Sequence, residues 1–116
     1  MKALGIDIGG SAVKGAPVDV KTGKLLTERH RIEINKDMPP AKVAVVVGEI
    51  AKQFHWRGAI GVGFPGVVQG STIRTAANLH PKFVGTDGAK LFGKATGCRV
   101  AMVNDAAAAA VALPNS

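Results

Sequence analysis

Short apolar runs, broken by glycine, proline and charged turns, alternate along the chain with stretches in which apolar residues recur every three or four positions. The runs over residues 4–8, 11–20 and 24–34 follow one another closely, so they predict three strands of an antiparallel meander. Two later strands are predicted over residues 59–64 and 99–103. Between these two strands, Val67-Val68 and residues 71–74 flank Gln69-Gly70 and predict a small inserted hairpin.

The first helix is predicted to begin at Pro39-Pro40, because proline is tolerated in the first turn of a helix. The β-branched valines that follow are poor helix formers, so a strand remains an alternative there. A second helix is predicted over residues 86–95, after a loop over residues 76–85, with Thr86 as its N-cap and Gly97 at its end. The apolar face of the first helix follows the 3.6-residue period at Val43, Val46, Val47, Ile50 and Phe54.

The elements follow the order β-β-β-α-β-α-β-α, where the last helix is predicted over residues 105–113. We interpret this order as one α/β domain over residues 1–116 with a mixed five-stranded sheet. The content of hydrophobic residues, 47%, agrees with a globular core. The single cysteine, Cys98, excludes an intrachain disulfide, and this suits a cytoplasmic protein. The longest apolar run is too short to cross a membrane.

The chain is strongly basic, with 15 Lys and Arg against 8 Asp and Glu and a net charge of +7. This excess favours a polyanionic partner such as a polyphosphate or a nucleotide. The basic residues are dispersed, however, and aromatic side chains are scarce, whereas single-stranded nucleic acids are bound on aromatic stacking platforms. We therefore do not expect a nucleic-acid partner.

The most informative segment, over residues 4–14, is a strand, a double-glycine turn and a second strand. Two glycines allow bare backbone N–H groups to approach a phosphate, and a nearby hydroxyl and ammonium group would add to its binding. A carboxylate beside them is a candidate Mg²⁺ ligand. The alternative is an ordinary hairpin with a solvated lysine. The candidate phosphate-binding residues are Asp7, Gly9, Gly10, Ser11 and Lys14, with Asp7 also the candidate metal ligand.

A second group of candidates follows other strands of the predicted sheet. Asn104-Asp105 stands where a parallel strand passes into a helix, the place where open α/β sheets bind ligands. Asp105 is a candidate general base towards a sugar hydroxyl, and the alternative is that it caps the helix. Gly66 would offer backbone donors to a small polar ligand, and the carboxamide of Asn78 can bind hydroxyl groups as donor and acceptor.

Four motifs taken together resemble the N-terminal half of sugar kinases of the ROK group, nearest to bacterial polyphosphate glucokinases. They are Gly5-Ile6-Asp7-Ile8-Gly9-Gly10-Ser11-x-x-Lys14, Gly63-Phe64-Pro65-Gly66-Val67-Val68, Arg74-Thr75-Ala76-Ala77-Asn78 and Val103-Asn104-Asp105. The resemblance implies a ribonuclease-H-like lobe of the actin/Hsp70/hexokinase superfamily. It also implies Mg²⁺ with ATP or polyphosphate as cofactor and phosphate donor, and glucose as the other substrate.

The resemblance assigns roles by position. Asp7, Gly9, Gly10, Ser11 and Lys14 match the phosphate loop of the family. Gly66, Asn78 and Asn104 match sugar-contacting positions, and Asp105 matches the catalytic base.

The chain also departs from the family pattern. Members of the family continue into a second lobe, whereas this sequence stops at Ser116, and Ala107 and Ala110 stand where relatives place an acid and a glycine. We therefore expect a truncated half of a kinase, natural or engineered, that has little or no activity alone and self-associates as a homodimer.

Two other functions are alternatives to that of a kinase half. A lone lobe would expose the surface that its sister lobe covers, so a structural module that forms a homodimer without catalysis is the main alternative. A nucleic-acid binder is the third, and it predicts affinity for DNA or RNA that substitution of Lys14 and Asp105 leaves unchanged.

Overall fold

The computed structural model describes residues 2–76 and 78–103 of the chain. Seven strands and two α-helices are present in this part. The strands are β1 Lys2–Ile8, β2 Ala12–Asp19, β3 His30–Glu33, β4 Ile60–Gly63, β5 Val68–Gln69, β6 Thr72–Ile73 and β7 Val100–Val103. The helices are α1 Pro40–Gln53 and α2 Gly88–Thr96, with a 3₁₀ turn at Pro81–Phe83 before α2. The predicted helix over residues 105–113 lies outside the described residues.

The main sheet has five strands in the order β3-β2-β1-β4-β7. The first three are antiparallel neighbours, and β4 and β7 extend the sheet in parallel to β1. The predicted mixed five-stranded α/β sheet is therefore confirmed. Because β1, β4 and β7 are parallel, their carboxyl ends meet at one edge, where Asp7 pairs with Gly63 and Gly63 with Val103.

Helix α1 forms the core with one face of the sheet. Its predicted apolar positions Val43, Val46, Val47 and Ile50 are buried and Phe54 is partly buried, which confirms the helical period and excludes the strand alternative. The alternate β1 residues Leu4, Ile6 and Ile8 complete this core.

Glycines let the layers of this core approach closely. A Cβ built on Gly15 of β2 would come within 2.7 Å of the Ile50 Cγ2 atom, so a glycine is needed where α1 crosses the sheet. A Cβ on Gly48 of α1 would lie 2.8 Å from the carbonyl oxygen of Ala95 in α2. The two helices therefore pack through this small residue.

The third strand is shorter than predicted. The stretch over residues 24–34 was expected to be extended throughout, but only His30–Glu33 pairs with β2. Pro17 has no backbone N–H to donate, so the β2–β3 ladder stops before it. Leu26 instead donates to the Pro17 carbonyl oxygen at 2.9 Å, and Leu25 bridges Val18 in a different register.

The prediction of Thr86 as the N-cap of α2 is wrong. The cap is Asp87, whose carboxylate accepts a hydrogen bond from the backbone N–H of Lys90 at 3.1 Å. The Thr86 hydroxyl donates to the Lys82 carbonyl oxygen at 2.9 Å and is therefore engaged elsewhere. The pKa of Asp87 is lowered by the Lys90 N–H bond first and by a bond from Ser71 second. The predicted end of α2 at Gly97 is confirmed, with φ of 70°.

The predicted hairpin forms as β5 and β6, and it is tied to the start of α2. Thr72 bridges Asp87, and the Gly88 N–H donates to the Ser71 carbonyl oxygen at 2.9 Å. The loop predicted over residues 76–85 holds the 3₁₀ turn, where the His80 ring accepts from the Lys82 N–H. In the described part of the chain, neither α-helix has the length and apolar character that a membrane span requires.

Candidate functional site

The double-glycine turn between β1 and β2 presents backbone N–H groups that have no backbone acceptor in the described part of the chain. The Gly9 N–H donates to the Ala12 carbonyl oxygen at 2.8 Å, which closes the turn. Within the described residues, the N–H groups of Gly10 and Ser11 have no backbone acceptor. The Ser11 side chain is exposed beside them. Two neighbouring N–H groups and a hydroxyl form a small cluster of donors, which is suited to the oxygens of an anion.

Gly10 is required by close packing against Asn78. Its φ is not positive, so the turn does not require left-handed backbone there. A Cβ on Gly10 would lie 3.1 Å from the Asn78 Cβ and 3.2 Å from the Asn78 carbonyl oxygen. The sequence predicted a glycine for approach to a ligand. The structure shows that the same glycine brings the turn against a second candidate residue.

Buried aromatic side chains fix the loop that carries Asn78. The rings of Phe64, directly after β4, and Phe83, in the 3₁₀ turn, have centroids 5.2 Å apart at 58°, and both side chains are fully buried. Leu79 beside Asn78 is also buried. The Asn78 side chain itself is exposed. The carboxamide is therefore held at the surface by the buried apolar side chains of Leu79 and Phe83, which follow it in the loop.

The turn and Asn78 line one open cavity of about 700 Å³. The opposite wall is the connection between β3 and α1, and the Asn35 side chain there accepts the Asp37 N–H at 2.9 Å. This wall was missed at the level of sequence, where the polar run before Pro39-Pro40 was its only signal. The residues that line the cavity are Gly10, Ser11, Ile34, Asn35, Lys36, Asp37, Asn78, Leu79 and Pro81.

Asp7 and Lys14 line a different cavity from Gly10 and Ser11. They are register partners on β1 and β2, and they lie on the sheet face opposite α1 because the buried β1 residues alternate with Asp7. This second cavity, of about 80 Å³, is also lined by Arg29. The structure thus divides the five predicted phosphate-binding residues between the turn and the sheet face.

Gly66 is fixed by Thr75 and does not line either cavity. A Cβ on Gly66 would overlap the Thr75 carbonyl oxygen, so no side chain fits there. The Thr75 hydroxyl accepts the Val67 N–H at 2.8 Å, which holds the segment between β4 and β5 against the residues that lead to Asn78. The predicted sugar-contacting glycine is therefore coupled to the Asn78 loop through the Thr75 segment.

Asn104 and Asp105 lie outside the described residues. The described chain ends with Val103 at the carboxyl end of β7, in register with Gly63 of β4. Gly63 in turn pairs with Asp7 of β1. The residues that precede Asn104-Asp105 in the sequence thus belong to the same sheet edge as the start of the glycine turn.

Asp7 fits Mg²⁺ only as a single protein ligand. Its side chain is exposed, and the described residues contain no cluster of three or more His, Cys, Asp or Glu side chains. Mg²⁺ in phosphate-transfer sites is commonly held by one or two carboxylates together with phosphate oxygens and water. Asp7 agrees with that arrangement, in which phosphate oxygens and water supply most of the ligands.

An antiparallel meander extended by two parallel strands, with a glycine turn at the carboxyl edge, is the sheet of the actin-like ATPase fold, which solved sugar kinases share. The chain belongs to the ROK family, which it matches over residues 3–114. It is 40% identical over 110 residues to the polyphosphate glucokinase of Mycobacterium tuberculosis and 36% identical over 112 residues to that of Mycobacterium leprae.

The similarity covers nearly all of this chain but a minor part of its relatives. The M. tuberculosis alignment spans 94% of this chain and 42% of the relative, and the M. leprae alignment spans 96% and 35%. The solved inorganic polyphosphate/ATP-glucomannokinase from Arthrobacter sp. strain KM superposes with a TM-score of 0.75 at 37% identity, over 90% of this chain and 44% of that chain. The chain therefore spans about two fifths of the length of these proteins.

Proposed function

We propose that this chain is the lobe of a polyphosphate- or ATP-dependent glucose kinase that carries the phosphate turn, part of the sugar site and the general base. The observation that supports this most directly is the shared cavity, which is lined both by Gly10 and Ser11, whose N–H groups have no backbone acceptor among the described residues, and by Asn78. Similarity to polyphosphate glucokinases supplies the substrate class.

Each candidate residue has a role in this proposal. Gly10 and Ser11 donate to the oxygens of the phosphoryl group that is transferred, while the Lys14 ammonium neutralises a phosphate further along the donor. Asn78 binds sugar hydroxyls, together with Asn104 and the backbone at Gly66. Gly9 closes the turn through Ala12 and so sets the direction of the donors.

The proposed reaction is a direct phosphoryl transfer. Asp105 accepts the proton of a glucose hydroxyl as the hydroxyl oxygen forms a bond to the terminal phosphorus atom. The bond between that phosphorus and its bridging oxygen breaks, and the leaving group is a polyphosphate shorter by one unit or a nucleoside diphosphate. Mg²⁺, with Asp7 as its protein ligand, would neutralise charge on the donor phosphates.

The 116-residue chain alone is expected to turn over slowly or not at all. Phosphoryl transfer depends on positioning and electrostatic stabilisation in a site that excludes water. Its relatives are more than twice as long as the part aligned here. The relevant assay is glucose 6-phosphate formation with ATP or polyphosphate, and robust turnover would show that this lobe suffices.

Binding of glucose tests the proposed site independently of turnover. Replacement Asn78→Ala removes an exposed carboxamide, so the fold is expected to persist while glucose affinity in the presence of Mg²⁺ and polyphosphate falls about tenfold. Gln53→Ala, at the exposed end of α1 and outside the cavity, is the matched control. Calorimetric titration of both variants measures the effect. Equal glucose affinity in the two variants would contradict the sugar site.

A further inference from the structure

The sheet face opposite α1 carries the second cavity, which is lined by cationic side chains and is separate from the cavity at the glycine turn. Register places Asp7, Lys14 and Arg31 side by side across β1, β2 and β3. Arg29, two residues before Arg31, lines the cavity with Asp7 and Lys14. Its remaining lining is Gly5, Val18, Gly23 and Leu25.

The charges in this row are unequally compensated. Arg31 is paired with Glu33 at 3.2 Å. In residues 2–76 and 78–103, neither Lys14 nor Arg29 makes an ion pair, and Lys14 is partly buried while Arg29 is exposed. The cavity therefore has two cations without an ion pair and one carboxylate, Asp7, so its lining carries a net positive charge. Two cations that converge on a small cavity attract an anion more strongly than dispersed surface charge does.

The size of the cavity limits what it accepts. Its volume of about 80 Å³ is on the order of the space of two or three water molecules, which is enough for a phosphate group and too little for a nucleoside. None of its lining residues is aromatic, so it offers no surface on which a base could stack. The shape thus favours a phosphate that carries no nucleoside.

The distance to the glycine turn identifies the kind of phosphate. Lys14 lies three residues along β2 from Ser11, which corresponds to about 10 Å of extended chain. One orthophosphate is smaller than this separation, whereas a linear chain of several phosphates can span it. On these grounds we propose that Lys14 and Arg29 form a second phosphate subsite, which holds an inner phosphate of a polyphosphate chain whose end lies at Gly10-Ser11. The position of that end rests on the proposed function.

This subsite has consequences for donor selection. In a nucleotide, the nucleoside occupies the position that further phosphates occupy in a longer polyphosphate. A nucleotide therefore cannot bind in the second cavity as a long polyphosphate does. Arg29 therefore contributes to the affinity for long chains and not to that for short ones. Asp7 at the edge of the cavity repels a bare phosphate, so Mg²⁺ is expected to strengthen binding there.

The test compares Arg29→Ala with Arg57→Ala. Arg57 is an equally exposed arginine outside the cavity and provides the matched loss of one positive charge. Binding of the 116-residue chain to polyphosphate of about fifteen units, to tripolyphosphate and to orthophosphate is measured with Mg²⁺ at several salt concentrations. Circular dichroism verifies that both variants fold.

We expect Arg29→Ala to weaken long-chain binding about fivefold and to reduce its salt dependence by about one counterion. Tripolyphosphate affinity is expected to change less than about twofold in the same variant. Equal loss in the two variants would show diffuse attraction by net charge, and no loss in Arg29→Ala would exclude its contact; either result overturns the subsite. If the proposed function is wrong, Asn78→Ala leaves the glucose affinity unchanged, and this result is independent of the result for Arg29→Ala.

Discussion

At the scale of single residues, the site depends on glycines, which have no side chain, as much as on the residues that carry polar groups. A Cβ on Gly10 would meet the backbone of Asn78, and a Cβ on Gly66 would meet the backbone of Thr75. These glycines bring the turn after β1 and the turn after β4 against the same loop. Asn78 is placed by these contacts, and its exposed carboxamide is left for a ligand.

Replacement Gly10→Ala is expected to separate the turn from Asn78. The added methyl would lie 3.1 Å from the Asn78 Cβ, so the loop must move by a few tenths of an ångström. We expect affinity for glucose with polyphosphate to fall at least about fivefold, with a Tm decrease of only a few degrees. Gly58→Ala, where the new methyl makes ordinary contacts of 3.5 Å with Trp56, is the control. Retained affinity in Gly10→Ala would show that this contact does not position the site.

At the turn, the candidate residues could be predicted from the sequence, but the cavity to which each of them belongs could not. The motif over residues 4–14 identified Gly10 and Lys14 together, because they are close in the chain. The structure places them in different cavities, since Lys14 projects from the sheet face while Gly10 lies at its edge. Arg29 had no local signal, because its partners in the cavity belong to β1 and β2.

At the scale of elements, long periodic segments could be predicted, whereas some of their ends could not. The period of α1 identified its buried face in spite of its valines. The start of β3, which lies later in the chain than predicted, depends on Pro17 in the neighbouring strand and so has no local signal. The cap of α2 was assigned one residue too early, because the hydroxyl of Thr86 and the carboxylate of Asp87 are both capable caps and only tertiary contacts decide.

The Asp87 cap predicts a pH dependence of stability. Because the folded state lowers the pKa of Asp87 below 3.8, its charged form stabilises the fold above that pH, and this contribution is lost as the pH falls through the lowered value. Asparagine also caps helices but does not titrate. We expect the Tm advantage of the natural chain over Asp87→Asn, present at pH 6, to diminish as the pH is lowered into the range where the Asp87 carboxylate becomes protonated. Thermal unfolding followed across this range measures it, and a constant difference would contradict the assignment.

At the scale of the whole molecule, the mixed five-stranded sheet followed from the order and spacing of the predicted elements. Membership of the ROK family agrees with this sheet. The sheet brings the carboxyl ends of β1, β4 and β7 to one edge, and the candidate residues follow those ends in the chain. The proposed function therefore depends on topology more than on any one motif.

Self-association remains a prediction at this scale. Val67 and Val84 are 52% and 53% exposed, which is high for apolar side chains, and we expect a second copy of the 116-residue chain to cover such surface. We expect light scattering coupled to gel filtration to give the mass of a dimer at micromolar concentration. A mass of one chain at every accessible concentration would contradict this expectation.

The central claim is that the glycine turn and the Asn78 loop form one ligand site. The most direct measurement is an amide NMR titration of the chain with tripolyphosphate and Mg²⁺, followed by glucose. We predict that tripolyphosphate shifts the amide signals of Gly10 and Ser11, and that glucose then shifts those of Asn78 and Leu79. Shifts confined to other parts of the chain, or none at saturating ligand, would contradict the claim.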